Sequence, residues 1–158
     1  MKEYTGYYKS SIGVVRVKGN DEGILFVDFI DDEQKKDERL NPIITDCINQ
    51  LDEYFSGKRK EFNIKLSLEG TEFQKNVWQA LLEIPFGETK SYKDIAVRIN
   101  NEKAVRAVGG ANHNNKISII VPCHRVIGKS GKMVGYGGGL WRKEWLLEHE
   151  RIYKHEGR

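Results

Sequence analysis

The apolar residues change their period at Gly70, and this limits the fold more than any other feature of the 158-residue chain. Before Gly70 they fall in short runs and alternations that favour strands, interrupted by one helical stripe; after it, helical spacing and helix caps recur. The chain is therefore expected to be α+β. A small mixed α/β domain over residues 1–69, an antiparallel sheet plus a helix, would precede a mostly helical domain over residues 70–158.

In the first part, residues from Glu3 to Ile30 read as three short strands. Turns are expected near Ser11-Ile12-Gly13 and over Lys18 to Gly23, giving an antiparallel meander. The acidic run from Asp31 reads as a solvated loop. Asn41 is placed to cap a helix with Pro42 in its first turn, and Ile44, Cys47, Ile48, Leu51 and Phe55 recur at helical spacing until Gly57. Cys47 lies on that stripe and reads as a core thiol. Phe62, Ile64, Leu66 and Leu68 alternate with polar residues, as in one more strand.

After Gly70, Thr71 and Gln74 have the spacing of a capping box, and Phe73, Val77, Leu81 and Leu82 make one helical face that Pro85 and Gly87 close. Ser91 and Asp94 repeat the cap before a short helix. Asn100 to Glu102 forms a turn, and Lys103 to Asn112 continues as a second helix, so the pair reads as helix-turn-helix. That second helix carries Ala104, Ala107, Gly109, Gly110 and Ala111 around Arg106, the one long cation in its middle. Small residues admit a close approach by another backbone, so a nucleic-acid groove against this helix, with Arg106 reaching in, stands beside the plainer reading of tight helix packing. His113 reads as a surface residue, and Trp141 and Trp145 of a final helix over Leu140 to Lys154 read as core.

Chemistry concentrates between Ile117 and Gly128. An apolar, strand-like run, Ile117 to Val121, meets Pro122-Cys123-His124-Arg125. Proline holds the backbone before the thiol, and an imidazole and a guanidinium follow it, the setting of a thiol with a lowered pKa. The alternative is a small core residue at the end of a strand. Asn115 is placed to hydrogen-bond backbone near this turn. The glycine-rich stretch Gly128 to Gly139 has neither Walker nor GxGxxG order and better suits the wall of a pocket for a flat ligand, with Tyr136 as its stacking face.

Charge is shared unevenly. Residues 1–90 hold 13 Lys and Arg against 17 Asp and Glu, and residues 91–158 hold 13 against 6, so −4 and +7 make up the net +3. The basic second half points to a polyanionic partner. Two cysteines give no disulfide framework, and no C-x-x-C or H-x-x-x-H spacing offers a zinc site. No window approaches the roughly 20 apolar residues of a membrane span. A soluble protein of a reducing cytoplasm is expected.

Pro122-Cys123-His124-Arg125-Val126 resembles the active-site signature of the O6-alkylguanine-DNA alkyltransferases. Further matches stand in the family's order: Tyr92 within Ser91-Tyr92-Lys93, Arg106 within Arg106-Ala107-Val108-Gly109-Gly110-Ala111, Asn115, Tyr136, and Trp145-Leu146-Leu147-Glu148-His149-Glu150. The likeness is strong over roughly residues 70–150 and holds in outline before them.

The resemblance implies a ribonuclease H-like first domain and a winged helix-turn-helix-like motif in the second, docking in the minor groove of double-stranded DNA that contains O6-alkylguanine. Cys123 would be the alkyl acceptor, His124 the base that draws its proton through a water, Glu150 the carboxylate that orients His124, and Asn115 the holder of the Cys123 turn. Arg106 would fill the gap left by the flipped guanine, and Tyr92 would press the 3′ phosphate. Ala107, Gly110 and Arg125 would lie toward DNA. Asn112, Val126, Tyr136 and Gly137 would line the base pocket, with Gly137 in place of a serine found in some relatives. Because a thioether has no route back, each molecule would act once, without cofactor or metal, as a monomer in a cytoplasm of prokaryotic type with access to the nucleoid. Two competing readings are a non-catalytic lesion-binding or regulatory DNA-binding protein, and a cysteine hydrolase.

Overall fold

The computed structural model describes residues 1–156, which divide between two compact units: one comprises Met1–Leu68 with the chain from His155 onward, the other Glu69–Lys154.

In the first unit, β1 (Tyr4–Ser10), β2 (Gly13–Asn20) and β3 (Gly23–Ile30) form an antiparallel meander in the order β1-β2-β3. The second turn is tighter than its polar sequence implied: the ladder runs on to the Asn20↔Gly23 pair, because Gly19 and Gly23 allow a close backbone approach at a register shift beside Lys18. One helix, α1 (Pro42–Phe55), covers the sheet. Its cap is the expected one, with Ile44 N–H donating to Asn41 Oδ1 at 2.8 Å. Gly6 of β1 is required by this packing, since a Cβ there would stand 2.6–2.9 Å from Ile48, Ile44 and Leu40. Val15, Val17, Ile24, Val27, Ile44, Cys47, Leu51 and Tyr54 fill the core, and Cys47 is buried on the helical stripe as read.

Residues 62–68 do not form the expected strand. Leu66 makes a single parallel bridge with Ile24, where Ile24 N–H donates to Lys65 O and Ser67 N–H to Ile24 O. Phe62, Ile64 and Leu66 are half-buried with Asn63 and Lys65 exposed between them, so the alternation reports an extended chain lying on one side, not a paired ladder.

The second unit opens with α2 (Glu72–Leu82), whose Thr71–Gln74 capping box is formed in full. The short β4 (Lys90–Ser91) pairs in parallel with β5 (Val126–Ile127), and α3 (Tyr92–Arg98) leads through a tight turn into α4 (Val105–His113). Asn100 occupies the left-handed region at φ 60° in that turn. The buried Trp78 indole ties α2 to α4 by donating to Ala111 O at 2.9 Å. The last helix is α5 (Leu140–Tyr153).

Two expectations fail here. Ile117 to Val121 is a buried turn, not a strand: Val121 N–H donates to Ile117 O at 3.0 Å and Ile119 adopts φ 73°. An unbroken apolar run marks burial without marking backbone shape. The two tryptophans of α5 are not both core, since Trp141 is 55% exposed and Trp145 half-buried. The buried face of α5 is instead Lys143, Leu146, His149 and Glu150, and three of these are polar.

Candidate active site

The site is built on a single 3₁₀ turn, Cys123–Arg125, entered through Pro122 at φ −81°. Asn115 holds the approach to it. Its amide donates to Val121 O at 2.8 Å, and its Oδ1 accepts from Ile117 N–H at 3.0 Å, cross-linking the two ends of the buried turn. Asn112, from α4, donates to Cys123 O at 3.4 Å. Cys123 is thereby clamped from both sides with only 5% of its surface exposed.

That burial raises the Cys123 thiol above its ordinary pKa, while the Asn115 amide and the charge of Lys143 pull it back. The sequence pointed to His124 and Arg125 as the groups acting on the thiol, and the structure assigns the cationic part to Lys143. This α5 lysine has no exposed surface, and its ammonium donates to Val126 O at 2.6 Å, Val134 O at 2.7 Å and Gly135 O at 3.2 Å. Burial lowers its pKa to about 8, against the upward influence of Cys123. Lys143 therefore ties the glycine-rich loop to the cysteine turn and brings positive charge to the thiol. Sequence reading missed it because a lysine within a helix ordinarily marks the solvated face.

His124 and Glu150 are fully buried, and His124 Nε2 lies 2.7 Å from Glu150 Oε2. Burial opposes ionisation of Glu150, but the His124 ring and the Arg125 guanidinium outweigh it and hold the carboxyl far below the usual carboxylate range. An ionised carboxylate only accepts, so Nε2 carries the proton. Burial in turn lowers the pKa of His124, which keeps the ring neutral. Its Nδ1 has no hydrogen-bond partner. Asn112 Oδ1 and the Tyr136 hydroxyl are likewise buried without one; Ser118 acts on the Tyr136 phenol without closing a bond of acceptable geometry. Burial, then Cys123, pushes that phenol well above its ordinary pKa. Among the described residues these three buried polar atoms have no protein partner.

Beside this network lies a cleft of about 910 Å³ lined by Tyr92, Lys103, Val105, Arg106, Gly109, Asn112, His113, Val134 and Gly135. Asn112 is common to the cleft and the cysteine clamp. Of the residues singled out in the sequence, Tyr92, Arg106 and Asn112 line the cleft, Cys123, His124 and Glu150 are buried, and Asn115 and Tyr136 are half-buried near Cys123. Val126 is buried and holds Lys143, while Ala107, Gly110 and Gly137 are exposed and a Cβ at either glycine would touch nothing within 4 Å. Lys103, His113 and Val134 enter the lining without having been picked out. Arg125 is a correction: it is buried, with its guanidinium committed to Glu150 and to Ile84 O, so it does not face DNA.

A clamped, buried thiol followed in sequence by a histidine paired with a carboxylate, and joined through Asn112 to a cleft that carries Lys103 and Arg106, defines a cysteine-centred site. The comparisons with known proteins agree in detail. The model of the 6-O-methylguanine DNA methyltransferase DNA-binding domain matches residues 72–152, and that of the ribonuclease-like domain of the same family matches residues 4–68. A methylated-DNA–protein-cysteine methyltransferase of Methanosarcina acetivorans is 47% identical over 152 residues, covering 93% of this chain and 97% of its own. The crystal structure of Mycobacterium tuberculosis O6-methylguanine methyltransferase superposes with a TM-score of 0.87 at 42% identity, covering 99% of this chain and 97% of that one. A structure of the M. tuberculosis protein in complex with DNA gives 0.84 at 44% identity, over 93% and 92% of the two chains. The chain belongs to the 6-O-methylguanine DNA methyltransferase family.

Proposed function

We propose that this chain repairs DNA by direct reversal, moving the alkyl group of O6-alkylguanine, chiefly O6-methylguanine, onto Cys123 in one irreversible step. It is then a methylated-DNA–[protein]-cysteine S-methyltransferase that each molecule performs once. The observation that carries this reading is the Cys123 turn: a buried thiol followed by a neutral histidine whose Nδ1 is open and whose Nε2 is fixed on Glu150.

The alkyl–oxygen bond of a stacked guanine is out of reach of a buried thiol, so the base must leave the helix at a cost of a few kcal/mol. Arg106 and Tyr92 line the cleft beside Asn112; on this reading the protein approaches the minor groove, Arg106 occupies the gap in the stack and Tyr92 presses the neighbouring phosphate. Asn112 and Tyr136 offer the flipped base their unmet polar atoms. His124 Nδ1 takes the Cys123 proton through a water, the S–C bond forms as the C–O6 bond breaks, and the electron pair leaves on guanine, where the Tyr136 hydroxyl donates to it. The product thioether is a poor electrophile, which makes the protein a reagent consumed at one equivalent. On this reading it acts as a monomer.

Intact-protein mass spectrometry after mixing with O6-methylguanine duplex tests this. One methyl mass per chain at Cys123, saturating at one equivalent, is expected, and a Cys123→Ala protein that still gained the methyl would overturn the assignment.

A further inference from the structure

Arg125 is the one buried cation at the site whose charge cannot be given up. Its side chain is 7% exposed; Nε donates to Glu150 Oε1 at 2.8 Å, Nη2 to Oε2 at 3.0 Å and Nη1 to Ile84 O at 2.7 Å. The Phe86 ring lies 5.8 Å from the guanidinium carbon, and the following Gly87 N–H donates to Glu150 Oε1 at 3.1 Å. The short segment after α2 and the arginine thus grip one carboxylate together, and that carboxylate also receives His124 Nε2.

Burial disfavours a charged His124 first, and the charges around the ring act on top of it. A guanidinium stays protonated throughout the working range, so Arg125 and Glu150 already cancel. The charged groups that face the His124 ring are Arg125 on its own turn and Glu150 and Lys143 on α5. A proton on His124 would give this buried cluster a further uncompensated positive charge. In a histidine–carboxylate pair the carboxylate favours the imidazolium; here burial opposes that attraction first, and Arg125 and Lys143 oppose it further.

We propose that Arg125 is a positioning residue that fixes and neutralises Glu150, so that His124 rests as the neutral Nε2–H tautomer with Nδ1 open to receive the Cys123 proton. This rests on the reading of His124 as the base in the function proposed above. Arg125 touches neither substrate nor thiol. Its effect travels through Glu150, and a merely structural brace would leave the histidine's titration unchanged.

The test is long-range ¹H–¹⁵N correlation of the His124 ring in the full chain, across about pH 6 to 9, the range in which histidine ordinarily titrates and just above it. The wild-type protein is expected to show the neutral ring with the proton on Nε2 throughout. Arg125→Met is expected to carry both ring protons near neutral pH and to move the acid limb of methyl uptake upward by about one pH unit or more, a tenfold loss at a fixed pH on that limb. Arg125→Lys keeps the charge and is expected to restore the neutral ring. A wild-type His124 that is imidazolium at neutral pH, or neutral with its proton on Nδ1, overturns the proposal without any variant. So does Arg125→Met with unchanged ring signals and an unchanged pH profile, whatever its melting temperature. The ring measurement uses no DNA, so it can fail while methyl transfer to Cys123 stands; a wild-type protein that takes up no methyl counts against the function alone.

Discussion

Lys143 shows how one side chain can be legible in identity and illegible in role. Its neighbours in sequence, Arg142 and Glu144, are the company of a solvated helix face, yet it has no exposed surface and three carbonyl partners. Its ammonium titrates near pH 8 in the fold against 10.5 ordinarily, a depressed lysine, so the sign runs opposite to that of a salt-bridged one. Below pH 8 both folded and unfolded chains carry the proton; between about 8 and 10.5 the unfolded chain binds more, and folding stability rises with pH through that window. Urea midpoints should show this rise for the wild-type protein, and Lys143→Met should lack it. The same variant removes the cation that pulls the Cys123 thiol down, so iodoacetamide should alkylate Cys123 roughly fivefold more slowly near neutral pH, whereas Lys143→Arg should lose less. An unchanged thiol rate in Lys143→Met would reduce the residue to a loop tie. Cys123, His124 and Glu150 were legible because adjacency and a resemblance named them. Lys143 was not, because its three carbonyls come from Val126 after the cysteine turn and from Val134 and Gly135 of the glycine-rich loop, which only the fold brings together.

At the scale of elements, what the sequence reveals is whatever is decided locally. The caps at Asn41, Thr71 and Ser91 depend on a side chain and a backbone N–H three residues on, and all three are formed. Residues 62–68 and 117–121 depend on distant partners, so an alternation there became an extended chain with one bridge, and an apolar run became a turn. The face of α5 could not be read from its apolar residues because the buried groups it presents are largely the lysine and glutamate of the site. The α3–α4 turn is a local case that can be tested. Exposed Asn100 sits at φ 60°, where a Cβ is tolerated best on asparagine. Asn100→Ala should cost about 1 kcal/mol in chemical unfolding and Asn100→Gly no more than a few tenths. Equal losses for both variants would mean that the side chain, not the backbone, holds the turn.

For the whole chain, a net charge of +3 understates the field at the cleft, because the −4 of residues 1–90 and the +7 of residues 91–158 are segregated along the sequence. Lys103, Arg106 and His113 then concentrate basic groups in the lining of one cleft. If that cleft receives DNA, binding releases counterions in proportion to the phosphates neutralised, and affinity for undamaged duplex falls with salt at a slope near −0.9 per phosphate. Two to four such contacts predict a slope of about −2 to −4 and a loss of roughly ten- to a hundred-fold between about 50 and 200 mM salt. Lys103→Ala should reduce the slope by about one unit and weaken all sequences alike, because a lysine at a phosphate carries no base readout. The rate at which Cys123 takes the methyl group from free O6-methylguanine base should be unchanged in that variant, since the small base presents no phosphate. Fluorescence anisotropy across a salt series measures the slope, and a slope unaltered by Lys103→Ala would place the DNA backbone elsewhere than along this cleft.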